Sequence, residues 1–327
     1  MRIVLAGGTG QLGNLLARSF RADGHDVVVL SRRPVPAPWR VVVWDARTVG
    51  PWSAELDGAD VVIGLAGRNV NCRYTPENRR EIFDSRVESA RVVGQAIARC
   101  LHPPRVWLQA STATIYTHRF DAPNDDVTGV IGGRETDAPQ SWRFSIEVAR
   151  AWERAATDNV TGATKLVLLR SAMVMSPDKG GIFDMLKRIA RFGLGGPVDG
   201  GGQYVSWVHD CDFVRALYWL IEHRELSGAV NIASPNPLPY RDFMRDIRRA
   251  VHMPIGLPAT KWMLEIGTRV LGTESELVLK SRRVVPKRLL DSGFSFEYPD
   301  WPAAVAELVG RRAASSRGEA AVSRSAG

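Results

Sequence analysis

The chain has 327 residues, 45% hydrophobic and 24% charged, with a formal net charge of +8. That length supports one large or two modest domains with true cores, and the ordinary composition excludes a fibrous or wholly disordered class. Cys72, Cys100 and Cys211 stand at unpaired spacings, which excludes a disulfide frame and a structural metal site and predicts a reducing, cytoplasmic setting. Met1 enters an apolar run at once, so no signal peptide is expected. No apolar stretch reaches membrane-spanning length. The basic excess is arginine spread along the chain, without a basic-aromatic stripe, so neither membrane nor nucleic acid is expected as a partner.

Residues 1–33 hold the strongest local signal. Ile3 to Ala6 reads as a buried parallel strand. Gly7-Gly8-Thr9-Gly10-Gln11-Leu12-Gly13 follows directly, then a helical run from Asn14 to Arg21 ended by Gly24, then a second strand from Asp26 to Leu30. Strand, glycine turn, helix and strand within one unit is the context of a dinucleotide site. Gly7 and Gly8 permit the turn, Gly10 lets the backbone approach a pyrophosphate, and Gly13 allows close helix packing. The helix start, with Thr9, Gln11 and Leu12, offers N–H groups and a partial positive charge to phosphate. After the second strand come Ser31, Arg32 and Arg33 rather than an acid. Guanidinium grips a 2′-phosphate that a carboxylate would repel, so the predicted cofactor is NADP(H). The alternative is a solvated basic loop.

A third strand over Arg40 to Trp44 ends at Asp45, which either accepts from the adenine amino group or serves as a strand-end turn residue. A fourth, from Asp60, runs into Leu65, Ala66 and Gly67, small or apolar enough for diphosphate and ribose to pass over them. Thr75-Pro76-Glu77 reads as cap, first-turn proline and first-turn acid of a long helix reaching Cys100. On it, Glu81 and Arg86 either face the cofactor or are surface charges. A fifth strand, Arg105 to Ala110, opens into Ser111, Thr112 and Tyr116, at the strand end where a crevice forms.

Thr117 to Gln140 reads as a long polar loop, a candidate lid or substrate rim. Trp142 to Thr157 is helical by period, and Lys165 to Arg170 is a sixth strand. Gly180 to Gly202 holds a short amphipathic helix and a glycine-rich turn. Val208 leads into His209 and a helix from Cys211 to Glu222, and Ala229 to Ala233 is a last strand. The predicted fold is α/β, a Rossmann doubly wound parallel sheet with a smaller C-terminal α/β substrate domain. Residues 1–176, completed by about 208–234, form the first part. Residues 177–207 and 235–310 form the second, and 311–327 a disordered tail.

The chain then resembles an extended short-chain dehydrogenase/reductase, and within that class the atypical epimerase-like subfamily with an additional C-terminal segment. The resemblance is carried by Gly7–Gly13, Ser31-Arg32-Arg33, Leu65-Ala66-Gly67, Arg73-Tyr74-Thr75 and Ser85-Arg86-Val87. It continues through Trp152-Glu153, Leu169-Arg170-Ser171, Gly193–Gly196, Ser206–His209, Val230-Asn231, Ala233–Asn236, Arg283–Leu290 and Gly293-Phe294. It implies 2′-phosphate binding at Ser31 and Arg32, and cofactor contact at Leu65, Ala66, Glu81, Arg86 and Val174.

One departure bears on chemistry. The superfamily uses a Tyr-x-x-x-Lys pair for proton transfer. The helix that should carry it, Trp142 to Trp152, has neither residue. The substitutes are Ser111 or Thr112 to orient a carbonyl, and Tyr116 or His209 to relay a proton. Both relay candidates also read as plain structural residues. Arg86 would acidify Tyr116 if close, and Arg73, Tyr74 and Trp207 are pocket-lining candidates.

Three functions follow: an NADP(H)-dependent oxidoreductase acting on a small carbonyl or alcohol, an NADP-dependent epimerase or dehydratase, and a non-catalytic NADP(H)-binding sensor or scaffold. A homodimer through the two long helices is a further expectation.

Overall fold

The computed structural model describes residues 1–136, 139, 142–259 and 276–311. The strands are β1 (Arg2–Ala6), β2 (Asp26–Ser31), β3 (Arg40–Val43), β4 (Val61–Gly64), β5 (Val106–Thr112), β6 (Lys165–Ser171), β7 (Met173–Met175), β8 (Tyr204–Val205), β9 (Trp207–His209), β10 (Gly228–Ile232) and β11 (Leu238–Pro239). Seven of them make one parallel sheet in the order β10-β6-β5-β4-β1-β2-β3. The winding direction reverses between β1 and β4, and the C-terminal ends of that pair open a crevice.

The helices are α1 (Gln11–Ala22), α2 (Pro76–Ile97), α3 (Arg143–Thr157), α4 (Ile182–Arg191), α5 (Asp210–Glu222), α6 (Tyr240–Ala250), α7 (Glu276–Leu279), α8 (Lys287–Asp291) and α9 (residues 301–311). Thr75 caps α2 as expected, its side chain accepting from the Asn78 N–H, with Pro76 in the first turn. One face of the sheet packs on α1 and α5 through Leu16, Phe20, Phe213 and Leu217. The other packs on α2 and α3 through Ala90, Val93, Trp107 and Trp152. The alternation along the central strands, buried on both faces, is why they read as unbroken apolar runs.

A third core gathers Phe183, Trp207, Phe243, Met244 and Trp301. Phe243 and Trp301 stack at 4.3 Å. Residues 281–285 thread between this core and the sheet. The Arg282 N–H donates to the Tyr204 carbonyl, and Val285 donates to Asn124, whose own N–H donates to Arg283.

Two expectations change. The loop after Tyr116, read as a lid or substrate rim, is stitched to residues 281–285; Ser281 binds His118 and the Arg119 carbonyl. Its residues 137, 138 and 140 lie outside the described residues, as do 312–327 of the expected tail. Arg311, placed in that tail, instead lies in α9 and pairs with Asp210 and Glu307 at 2.8 Å. Among the described residues, no helix is long and apolar enough to cross a membrane.

Candidate functional site

The glycine turn is built for a close-approaching ligand. Gly7 has φ of +88° and lies against Ala66, so any side chain there would collide with the fourth-strand turn. A Cβ on Gly13 would lie 2.3 Å from the Gly8 carbonyl oxygen, so the helix meets the turn itself. A Cβ on Gly10 would meet nothing within 4 Å. Packing therefore explains Gly7 and Gly13, whereas Gly10 fronts open space. Beside it the Gln11 Nε2 is buried without a hydrogen-bond partner and presses on Gly181, which begins α4. A buried amide without an acceptor costs free energy that a ligand oxygen would recover.

At the end of β2, Ser31 is buried and its Oγ accepts from the Arg33 N–H at 3.3 Å. The Arg32 and Arg33 side chains are exposed, and no carboxylate among the described residues pairs with them. Leu65 follows β4, and its N–H donates to the Ala6 carbonyl, which ties the turn at Ala66 and Gly67 to β1. Under Gly67 lies the Arg86 guanidinium, 3.2 Å from where a Gly67 Cβ would stand. It donates to the Ile82 carbonyl at 3.1 Å and lies over the Trp152 ring. Burial pushes its pKa down to about 10, and no carboxylate among the described residues answers its charge.

Other expected cofactor residues stand differently. The Asp45 carboxylate closes its own turn, accepting from the Arg47 and Thr48 N–H groups and the Thr48 hydroxyl. Those bonds hold its pKa below the usual carboxylate value. This is the turn-residue alternative. Glu81 is exposed and paired with Arg68. Val174 is buried in the α5 face of the core, with β7 paired to β9.

The catalytic candidates diverge most. Strand β5 runs two residues further than expected, through Ser111 and Thr112. Alternation then turns Ser111 to the face shared with Trp107 and Gln109. Its hydroxyl donates to Glu153 Oε1 at 2.6 Å, and Glu153 is held by Arg170 through two bonds of 2.8 Å. Tyr116 is buried. Its hydroxyl donates to Asn231 Oδ1 at 2.9 Å and accepts from Arg170 at 3.0 Å. Burial, the largest influence, raises its pKa despite the adjacent Arg170; Arg170, not Arg86, is its neighbouring cation.

His209 is fully buried. Its Nδ1 accepts from the Cys211 N–H as the cap of α5, its Nε2 meets Glu307 at 2.9 Å, and its ring stacks on Tyr298 at 4.0 Å. His209, Asp210 and Cys211 also bring their ligand atoms within 4.8 Å of one another. Arg311 and Glu307 already engage the first two. The geometry thus commits Ser111, Tyr116 and His209 to structural bonds. Thr112 keeps a donating hydroxyl: its Oγ1 accepts from the Thr114 N–H at 3.1 Å.

Sequence reasoning passed over the groups that the C-terminal segment brings to this end of the sheet. Lys280, buried, donates to the Thr114 carbonyl at 2.8 Å and lies 3.7 Å from Glu276. Glu276 accepts from the Ser145 hydroxyl at 2.6 Å. The Arg282 Nε donates to Thr114 Oγ1 at 3.2 Å. Three cations, Lys280, Arg282 and Arg283, set between two apolar runs were the available signal.

Comparison with known proteins agrees with this architecture. Residues 3–233 match the NAD dependent epimerase/dehydratase family, and residues 259–308 match a domain of unknown function, DUF1731. The epimerase family protein YfhF of Bacillus subtilis is 30% identical over 315 residues, 95% of this chain and 99% of that protein. The crystal structure of human epimerase family protein SDR39U1 (isoform 2) with NADPH superposes with a TM-score of 0.82 at 26% identity, covering 95% of this chain and 99% of that one. A nucleoside-diphosphate sugar epimerase of Corynebacterium glutamicum superposes with a TM-score of 0.73 at 26% identity, over 95% of this chain and 58% of that one. With its sheet, its glycine turn and more than half its length matched, the chain belongs to the NAD dependent epimerase/dehydratase family.

Proposed function

We propose that the protein is an NADP(H)-dependent oxidoreductase of the extended short-chain class, acting by hydride transfer on a small carbonyl or alcohol. The observation that carries the cofactor reading is the pair of exposed arginines beside buried Ser31, with no carboxylate opposing them. The residues present fit such a group at three further places: the open front of Gly10, the orphaned Gln11 amide and the half-buried Arg86, which no carboxylate among the described residues pairs with. Gly7 to Gly13 would hold the diphosphate, Ser31, Arg32 and Arg33 the 2′-phosphate, and Leu65 to Gly67 the path between. A bound NADPH supplies a hydride. The chain's own part at the carbonyl end is to orient the oxygen, for which the Thr112 hydroxyl is available.

The sensor reading gains one observation: Ser111, Tyr116 and His209 are all engaged structurally. Turnover of NADPH with a carbonyl panel separates the two. The cofactor reading is tested by calorimetry. NADPH should bind tightly and NADH weakly, and Arg32→Ala should cost about 1.4–2.8 kcal/mol of NADPH affinity, roughly 10- to 100-fold. Equal affinities for both nucleotides, unchanged in Arg32→Ala, would overturn it.

A further inference from the structure

We propose that the protein docks peripherally on an anionic lipid surface, through an apolar patch built by the turns that end α4 and α6 and ringed by arginine. The inference does not rest on the hydride-transfer reading.

Two stretches far apart in the chain build the patch. Helix α4 ends at Phe192 and at Gly193, whose φ is +72°. The Leu194 N–H donates back to the Ile189 carbonyl at 3.1 Å, a closure that turns the chain sharply out of the helix. Helix α6 ends in a second turn, where the Met253 N–H donates to the Arg248 carbonyl at 2.8 Å. The two turns are joined. The Leu257 N–H donates to the Gly193 carbonyl at 2.7 Å, and Ile255 lies against Gly193. Arg248 fastens both, donating to the Gly195 carbonyl and lying against Gly256.

Four large apolar side chains stand in water on this double turn. Phe192 is 78% exposed, Leu194 57%, Ile255 59% and Leu257 55%. Folding gains little from them there, and an apolar cluster rimmed by charge marks a contact surface.

The rim identifies the occupant. Residues 182–196 and 240–257 hold seven Lys or Arg against three Asp. Arg191 is exposed and Arg248 half-buried, and no carboxylate among the described residues pairs with either. Asp184 and Asp246 are buried, and each is shared by two cations. Asp184 meets Arg188 at 2.7 Å and Lys187 at 3.9 Å; Asp246 meets Arg245 at 3.3 Å and Arg249 at 3.6 Å. The excess is therefore positive. An anionic bilayer answers both parts of the patch. Its phosphates take the guanidiniums, and its acyl boundary takes the phenyl and aliphatic groups. Apolar side chains on turns enter a headgroup layer without needing a matching groove. Such docking requires no spanning helix, and the sequence shows no basic-aromatic stripe because folding alone assembles the patch.

Helix α4 begins beside Gln11 of the glycine turn, and the patch lies at its other end, about 15 Å away at 1.5 Å per residue. The lipid contact is thus separate from the nucleotide features.

The test is co-sedimentation of the full chain with vesicles. One set holds dioleoylphosphatidylglycerol and dioleoylphosphatidylcholine in equal parts, the other dioleoylphosphatidylcholine alone. The wild type is expected to pellet with the first and to stay in solution with the second, and added salt should weaken the pelleting. The double variant Phe192→Ser/Leu194→Ser should lose about tenfold or more in partitioning, and Arg191→Gln about fivefold, both with unchanged melting temperatures.

Equal pelleting with the two vesicle types overturns the proposal, as does pelleting with neither, or a double variant that pellets like the wild type. If the double variant does not fold, the wild-type comparison and Arg191→Gln decide. Sedimentation velocity without lipid addresses the rival occupant: a wild-type dimer that Arg191→Gln or the double variant makes monomeric would give the patch to a second copy of the chain and overturn the lipid assignment.

Discussion

Gly10 and Gly13 are three residues apart and carry opposite burdens. Gly13 has no room: a methyl there would strike the Gly8 backbone. Gly13→Ala should cost about 1–3 kcal/mol of stability, as overpacking does. Gly10→Ala should leave the melting temperature almost unchanged, since nothing lies in front of it, yet weaken NADPH binding severalfold. Thermal melts with and without NADPH check both. Tyr116 belongs to the same scale. Its hydroxyl joins Asn231 of β10 to Arg170 of β6, so Tyr116→Phe should lose about 1–3 kcal/mol in denaturant unfolding and keep its turnover.

Elements show why some of the site was legible and some was not. The glycine turn is local: strand, turn and helix lie within one short unit, and the helix meets the turn at Gly13 against Gly8. Ser111 misled because one fact about β5 was missing, its last two residues. A strand that continues through Ser111 sends that side chain toward Glu153 on α3, and the expected crevice residue becomes a packing one. His209 misled for a related reason. It reads as an imidazole at a strand end, but the helix after it starts one residue earlier than expected and takes the imidazole as its cap.

The C-terminal segment makes its own prediction here. Burial pushes the Lys280 ammonium down to about 8 from 10.5, with Glu276 pulling the other way. The unfolded chain therefore binds more protons than the folded one between those two values, and stability attributable to Lys280 rises with pH across that window. Below about pH 8 both states are protonated and the burial penalty is complete. Unfolding free energies of wild type and Lys280→Met, compared from pH 7.5 to 10.5, should converge or cross in favour of wild type as pH rises. Parallel profiles would mean that the lysine is not buried in solution.

At the level of the whole molecule, the sheet and the C-terminal segment are not stacked side by side but laced together. Asn124 exchanges backbone bonds with Arg283 and Val285. Asp126 accepts from the Asn231 and Arg288 N–H groups at 2.9 and 3.0 Å. Arg311 and Glu307 clasp Asp210 and His209 at the start of α5. The nucleotide features, by contrast, lie in the first 90 residues, from Gly7 to Arg86, and none of them draws on residues beyond 276. The glycine turn thus comes from one end of the chain, and the residues packed on the turn after β5 come from the other. Exchanging residues 276–290 for those of a relative should alter which carbonyls are reduced while the preference for phosphorylated nucleotide stays put, so the two halves of the reaction are open to independent drift.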